Sequence, residues 1–480
     1  MHDALLWMLL LAGLGMSLVV AASAVSGRWY FGLALILALP AAIALHKYPL
    51  YGLAIWLLLT PLVVKTDSTT VRMLYWLIHR AVPPVALMVL ALTSWLKLND
   101  SKFPKIGFAE LSVIAYLGIS LISIYYLNEQ PLATSYHLYD RVFVPFCLYL
   151  LTRSLVPTKR GLRRFMPVLV FVLICQSAIG LLSWVLPDAL PAFWTPLAGE
   201  RTTGSLGSYS VFTVTIIFTS LLLLHYGLNE RKGIARVTYV ALFPLAMFMV
   251  FLSFSRGSWL AGLLTLAGLA YVYSRFIIRM LVVTVPVLMI LIALGLLGGQ
   301  LDYARDRLQS HSTALDRLPV YYAGIQMFMA KPIFGWGYGN FDRYDREFQG
   351  RVLDLVNPAK DHASHNVYLT LLAEQGIVGF TLFMMPMFWW MAHTVRGKPG
   401  LEEEGLWSQK LLFVMWLFVL SAVVVNNFSN MRVVFGWGLW WIALGLISGA
   451  LEPVSKQESA QLLHATSGYR RANLIDSRPG

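Results

Sequence analysis

Met280–Gly299 reads MLVVTVPVLMILIALGLLGG, an unbroken apolar run without one charged residue. A helix of about 20 such residues matches the roughly 30 Å hydrocarbon core of a bilayer. Ser210–Leu228, SVFTVTIIFTSLLLLHYGL, is of the same kind. Such runs are longer than a soluble core helix needs, and they do not alternate as barrel strands do. The composition agrees. Of 480 residues 58% are hydrophobic and only 13% charged, with a mean hydropathy of +0.66. A soluble domain carries roughly 25% charged residues, so this chain lacks the polar surface to stay in water. In lipid every backbone amide must be satisfied internally, which leaves helices. The expected fold is an all-α polytopic integral membrane protein.

Working outward, candidate spans fall at 4–25, 30–46, 49–64, 74–96, 107–127, 142–156, 165–187, 210–228, 237–254, 258–274, 280–299, 377–395, 410–427 and 433–450. The runs 49–64 and 142–156 are short, and 74–96 contains His79, Arg80 and Pro83-Pro84. About 12–14 helices are therefore expected. Met1-His2-Asp3 offers no positive n-region, so 4–25 reads as a first membrane helix and not as a cleaved signal. The expected organisation is membrane helices over 1–299, one long loop over 300–376, further membrane helices over 377–450 and a polar tail over 451–480. The loop carries spaced apolar residues such as Leu318, Tyr322, Ile325 and Met329, which predicts partial helix.

The net charge of +13 is placed in short loops beside apolar runs, the pattern of a membrane protein and not of a nucleic-acid binder. One set of alternate loops holds Lys47, Lys97, Lys102, Lys105, Lys159, Arg160, Arg163, Arg164, Arg231, Lys232, Arg236, Arg275, Arg279, Arg396, Lys398 and Lys410. Basic residues in short loops mark the cytoplasmic side. Both termini are then expected inside, and Gln300 to about His365 outside. Cys147 and Cys175 lie within apolar runs, and two cysteines make no disulfide framework.

Four stretches on the expected outer side carry chemistry-bearing residues. They are Gly199–Ser205 with Arg201; Ser253–Trp259 with Ser255 and Arg256; Arg317 to Phe341, including Gly335-Trp336-Gly337-Tyr338-Gly339; and Ser364–Gly379 with His365, Asn366, Tyr368 and Glu374. An arginine presents a planar fork of donors that fits phosphate oxygens. Arg201, Arg256 and Arg317 come from separate elements, and together would suit a diphosphate. A histidine such as His365 titrates near working pH and suits proton transfer from a sugar hydroxyl. Each has a plainer reading too. A single arginine at a span edge is a snorkelling anchor, His365 a helix-start residue, and the glycine block a set of turns. His362 and His365 lack a third ligand for a metal.

The order of three of these stretches resembles the bacterial O-antigen ligase and polymerase superfamily. They are Ser255-Arg256-Gly257-Ser258-Trp259-Leu260-Ala261, the block from Arg317 through Pro332 to Gly335-x-Gly337-x-Gly339-Asn340-Phe341, and His365-Asn366-x-Tyr368-Leu369 to Glu374-x-Gly376-Ile377-x-Gly379. The resemblance is clearest over about 195–445. It implies an enzyme at the periplasmic face of the bacterial inner membrane, without metal or other cofactor. The donor is a glycan on undecaprenyl diphosphate. The acceptor is lipid A-core for a ligase, or a second carrier-linked unit for a polymerase. By resemblance Arg201, Arg256 and Arg317 hold the diphosphate, His365 activates the acceptor hydroxyl, and Ser255, Asn366, Tyr368 and Glu374 support them. The resemblance departs after Arg201, where relatives carry an Asn-Pro-Asn-like stretch and this chain has Gly204-Ser205-Leu206-Gly207.

The competing class is a transporter of the same lipid-linked glycan, which would carry functional charges near the bilayer midplane. His79, Arg80 and Glu110 are the charges inside apolar runs that such a reading would use.

Overall fold

The computed structural model describes residues 40, 43–66, 68–96, 103–156, 159–195, 201–229, 233–309, 317–349, 364–396, 401–427 and 434–451. The expected span 4–25, most of 30–46, Glu200, His362 and the tail beyond 451 lie outside the described residues.

Among the described residues helix is the only regular secondary structure, apart from one isolated bridge between Glu402 and Ser408. In chain order the helices are α1 (Leu50–Val63), α2 (Thr69–Trp95) and α3 (Phe108–Leu127). Next comes α4, which runs from Pro131–Leu138 through a π turn at Tyr139–Phe143 into Val144–Leu155. Then follow α5 (Lys159–Val185), α6 (Tyr209–Asn229), α7 (Ile234–Phe251), α8 (Arg256–Val272) and α9 (Ser274–Ala293). The expected outer loop contains α10 (Gly298–Gln309), α11 (Leu318–Ala330) and α12 (Phe341–Phe348). The last three are α13 (Val367–Arg396), α14 (Gln409–Asn426) and α15 (Val434–Leu451). Among the described residues nine helices are long and apolar enough to cross a membrane, and α1 is a shorter apolar helix. The protein is thus an all-α polytopic membrane protein.

Burial sorts these helices in a way that only lipid permits. An 18-residue window is 94% buried in both α6 and α15, but 11% in α9. Yet α9 holds most of the apolar run Met280–Gly299, and it displays Val282, Val283, Met289 and Ile290. In water that much exposed apolar helix would aggregate; against acyl chains it costs nothing. Helices apolar on all sides and wholly buried belong at the centre of a bundle. There α6 packs on α5, α7 and α14, and α15 packs on α4 and α14.

Boundaries moved where local chemistry overrode hydropathy. α13 is two helical segments, 367–375 and 377–396, because Gly376 (φ 60°, ψ −166°) is non-helical and breaks the run between them; the span expected at 377–395 lies in the second. The span expected at 74–96 starts at Thr69. It accommodates Pro83-Pro84 because a π turn at Trp76–Ala81 precedes them and they occupy the first turn of the next α segment, where proline's missing N–H is harmless.

The charges inside the membrane pair with each other. Arg80 donates from Nε and Nη2 to the two carboxylate oxygens of Asp140 (2.7 and 2.6 Å), joining the π turns of α2 and α4. His79 lies between the Trp56 indole N–H (3.1 Å) and the Asp140 carbonyl (3.2 Å). Glu110 accepts from Tyr149 and Arg153 and also from the Gly107 amide (2.7 Å). These ties cross-link α1, α2, α3 and α4, and give His79, Arg80 and Glu110 a structural role.

Long helices alternate in direction along the chain. The starts of α2, α4, α6, α8, α13 and α15 therefore share one end of the bundle with the ends of α1, α3, α5, α7, α9 and α14. Each of the four chemistry-bearing stretches lies at that end.

Candidate active site

The Arg201 loop is built to sit on the α7–α8 connection. Its Thr202 amide donates to the Leu252 carbonyl (3.2 Å), and the Trp184 indole N–H donates to Thr202 Oγ1 (2.8 Å). Gln176 of α5 holds Ser205 twice, through its hydroxyl (2.7 Å) and its amide (3.1 Å), and the Ser205 hydroxyl reaches back to the Pro61 carbonyl of α1 (2.6 Å). Gly204 (φ 56°) and Gly207 (φ 66°) turn this loop through left-handed conformations. A Cβ at Gly207 would meet the Lys65 chain at 2.3 Å, so Lys65 lies directly against the loop. The Arg201 guanidinium stacks on Tyr209, the first residue of α6, at 4.7 Å.

Arg256 is the first residue of α8, and Ser255 holds the N-cap position without a side-chain capping bond. The N-terminal amides and dipole of that helix favour an anion there. Arg256 itself is exposed and donates from Nε (3.1 Å) and Nη2 (2.7 Å) to the main-chain oxygen of Arg307 on α10. Phe254 of the connection packs edge-on against Tyr303 of α10 at 4.7 Å. So α10 folds back over the head of α8. Its half-buried side carries Tyr303, Ala304 and Arg307, while Arg305 and Asp306 are exposed. Burial, and then the neighbouring charges of Arg201 and Arg256, hold the Arg307 guanidinium below its ordinary pKa.

A second unit contains the glycine block. The Glu374 carboxylate accepts from the amides of Gly339 (2.9 Å) and Phe341 (3.1 Å), while the Glu374 carbonyl accepts from Gly337 (2.7 Å). Trp336 N–H donates to the Ala373 carbonyl (3.0 Å), and Ile377 N–H to Pro332 (2.8 Å). A Cβ at Gly335 would lie 2.4 Å from the Glu374 backbone. Hence the glycines permit close approach of loop to helix. Asn340 Nδ2 donates to the carbonyls of Leu127 (3.1 Å) and Trp336 (2.9 Å), and Asn128 donates to Asn340 Oδ1 (2.9 Å). Arg343 pairs with Glu129 (2.7 Å). Arg141 of α4 hydrogen bonds to Tyr338, whose phenol burial pushes up to about 12. The outer loop is thus strapped to α3, α4 and α13.

His365 precedes α13 at the same end. Asn366 caps that helix, its Oδ1 accepting from the Tyr368 and Leu369 amides (3.0 Å each), as an N-cap asparagine does. Ser364 Oγ bonds with the Asn366 main chain and with Thr370. Among the described residues only two non-glycines have positive φ, Phe254 (45°) and His365 (47°). For a bulky side chain that conformation is strained, and such strain gathers at functional sites. Here it aims the chain just before Ser255-Arg256 and just before the Asn366 cap.

The geometry therefore places the Arg201 loop and Arg256 at the same α7–α8 connection and brings Arg256 onto Arg307, a residue the motifs did not single out. Arg317 belongs to another packing unit, at the start of α11, which packs on α12 and α13. Tyr368 packs against the main core and Glu374 acts on the glycine block.

The fold and site define a polytopic membrane protein with an arginine cluster and a strained histidine at one end of its bundle. Residues 240–384 match the family model described as O-antigen ligase, so the likeness to the O-antigen ligase and polymerase superfamily is shown over that stretch. The stretch contains Arg256, Arg307, Arg317, the glycine block, His365 and Glu374, and excludes Arg201. The match supports an O-antigen ligase-family, glycosyltransferase-like function. No curated protein matches the chain.

Proposed function

We propose that the protein transfers a glycan from undecaprenyl diphosphate to an acceptor hydroxyl at the periplasmic face of the inner membrane. The observation that carries this is that the Arg201 loop is seated on the α7–α8 connection through Thr202 and Leu252, while Arg256 begins α8 at the same place and reaches over to α10. In the reaction the bond between the anomeric carbon and the phosphate oxygen breaks, and its electron pair leaves with undecaprenyl diphosphate. The acceptor oxygen forms the new bond to that carbon. His365 takes the acceptor's proton. Arg201 and Arg256 bind the diphosphate, whereas Arg317 lies at the start of α11 in the other packing unit. Preorganised donors aimed at developing charge typically contribute ~2.7–4 kcal/mol each to lowering the barrier. The polar and strapped outer loop supports a water-facing acceptor, and lipid A-core as that acceptor makes the protein a ligase. Basic residues such as Arg163, Arg236, Arg275, Arg279 and Arg396 at the opposite end support a cytoplasmic assignment there.

The test is transfer by the purified protein in nanodiscs, with undecaprenyl diphosphate-linked glycan as donor and EDTA present. Lipid A-core and a second carrier-linked unit are offered as acceptors, with His365→Ala and Arg256→Ala in parallel. Transfer that survives EDTA and fails in both variants is expected. Use of the second carrier-linked unit alone would make the protein a polymerase. With neither acceptor used, and both variants binding donor as wild type does, the enzyme reading falls and transport of the lipid-linked glycan replaces it.

A further inference from the structure

We infer that Arg307 is a further diphosphate-binding residue, and that α10 is the arm that delivers it to the head of α8. The inference rests on the reading in the preceding subsection. Three observations carry it. Arg256 closes two donors on the main-chain oxygen of Arg307, which fixes the end of α10 at the first turn of α8. Tyr303, one turn earlier on α10, packs against Phe254, the strained residue just before Ser255-Arg256. With both contacts made, the side of α10 that bears Arg307 turns inward, and Arg305 and Asp306 turn to solvent. The charges of Arg201 and Arg256 are close enough to disfavour the Arg307 cation. Gathering like charges costs free energy, and an anion between them recovers it.

The chemistry of the donor gives the third cation a purpose. A glycosyl diphosphate linked at both ends carries two negative charges. When the anomeric carbon–oxygen bond breaks, the departing oxygen keeps the electron pair and the diphosphate carries three. Two arginines match the bound donor; a third matches the leaving group. Interactions stronger in the transition state than in the ground state raise kcat and leave KM little changed. Lysine keeps the charge of arginine but loses its planar fork. Because Arg256 holds the main chain of Arg307 and not its side chain, substitution at Arg307 leaves the latch between α10 and α8 in place.

The experiment measures transfer in nanodiscs at varied donor concentration, and equilibrium binding of undecaprenyl diphosphate itself, for wild type, Arg307→Ala, Arg307→Lys and Arg305→Ala. Arg307→Ala is expected to lower kcat by about 10²-fold, with KM for donor changed less than about threefold. Affinity for undecaprenyl diphosphate should fall about tenfold. Arg307→Lys should regain part of both, and Arg305→Ala should match wild type. Wild-type kcat and product affinity in Arg307→Ala would overturn the inference while leaving the proposed function intact, as would equal losses in Arg305→Ala. A wild-type protein that neither transfers glycan nor binds undecaprenyl diphosphate would overturn both.

Discussion

Glu374 holds Gly339 by its carboxylate: the amide of Gly339 donates to Oε2 at 2.9 Å, and that of Phe341 to Oε1 at 3.1 Å. The acid of the Glu374-x-Gly376 motif therefore fastens the outer loop to α13. Leaving a buried amide unsatisfied costs about 1–3 kcal/mol. Glu374→Ala should lower the thermal midpoint in nanodiscs, and transfer should fall in parallel. Glu374→Gln, which keeps an acceptor, should lose less. An alanine variant as stable as wild type but without transfer would show that the acid acts on substrate instead.

Gly335 should tolerate no side chain. It has φ 68°, and an added Cβ would sit 2.4 Å from the carbonyl of Glu374. The backbone on both sides is fixed by hydrogen bonds, so Gly335→Ala should cost roughly 1–3 kcal/mol. Gly118 on α3 has open space around it, and Gly118→Ala should be neutral or slightly stabilising. Equal thermal midpoints for the two variants would contradict the packing described.

The Arg80–Asp140 pair offers a double-mutant cycle. The side chains are 23% and 10% exposed, and their two hydrogen bonds span α2 and α4. Removing one partner strands the other, at roughly 3 kcal/mol; removing both to apolar residues is nearer neutral. Arg80→Met and Asp140→Leu singly should each destabilise more than the pair combined. Simple additivity would mean that the two charges act independently.

Arg256→Lys should separate charge from geometry. A lysine retains the cation at the head of α8 but cannot close two donors on the Arg307 carbonyl. Glycan transfer is expected to drop by about 10²-fold with the thermal midpoint little changed. Wild-type transfer by the lysine variant would remove the forked contact from the account.

Much of this was legible in order along the chain. Apolar runs such as Met280–Gly299 announce spans wherever they occur, because lipid selects on composition alone. Arg256, His365 and Glu374 could be picked out because their neighbours form recognisable motifs. Arg307 could not. It sits in a helix with Asp306 before it and Leu308 after it, and nothing local distinguishes it from Arg305. The one signal was spacing, since Tyr303, Ala304 and Arg307 share a helix face. Nor could the partner of Arg80 be read, since Asp140 follows it by 60 positions. The glycine block illustrates the same limit: its turns are local, but the Glu374 backbone that forbids a Cβ is reached only by folding.

By itself, then, the sequence determined the solvent, the helical class, the alternation of the helices and the end at which chemistry-bearing residues collect. Those properties follow from composition and periodicity, which act over one helix at a time. The tertiary structure alone decided which arginines meet, that Glu374 serves the loop, and that intramembrane charges pair. Those depend on side chains tens or hundreds of positions apart, whose pairing free energy exists only after the helices have packed.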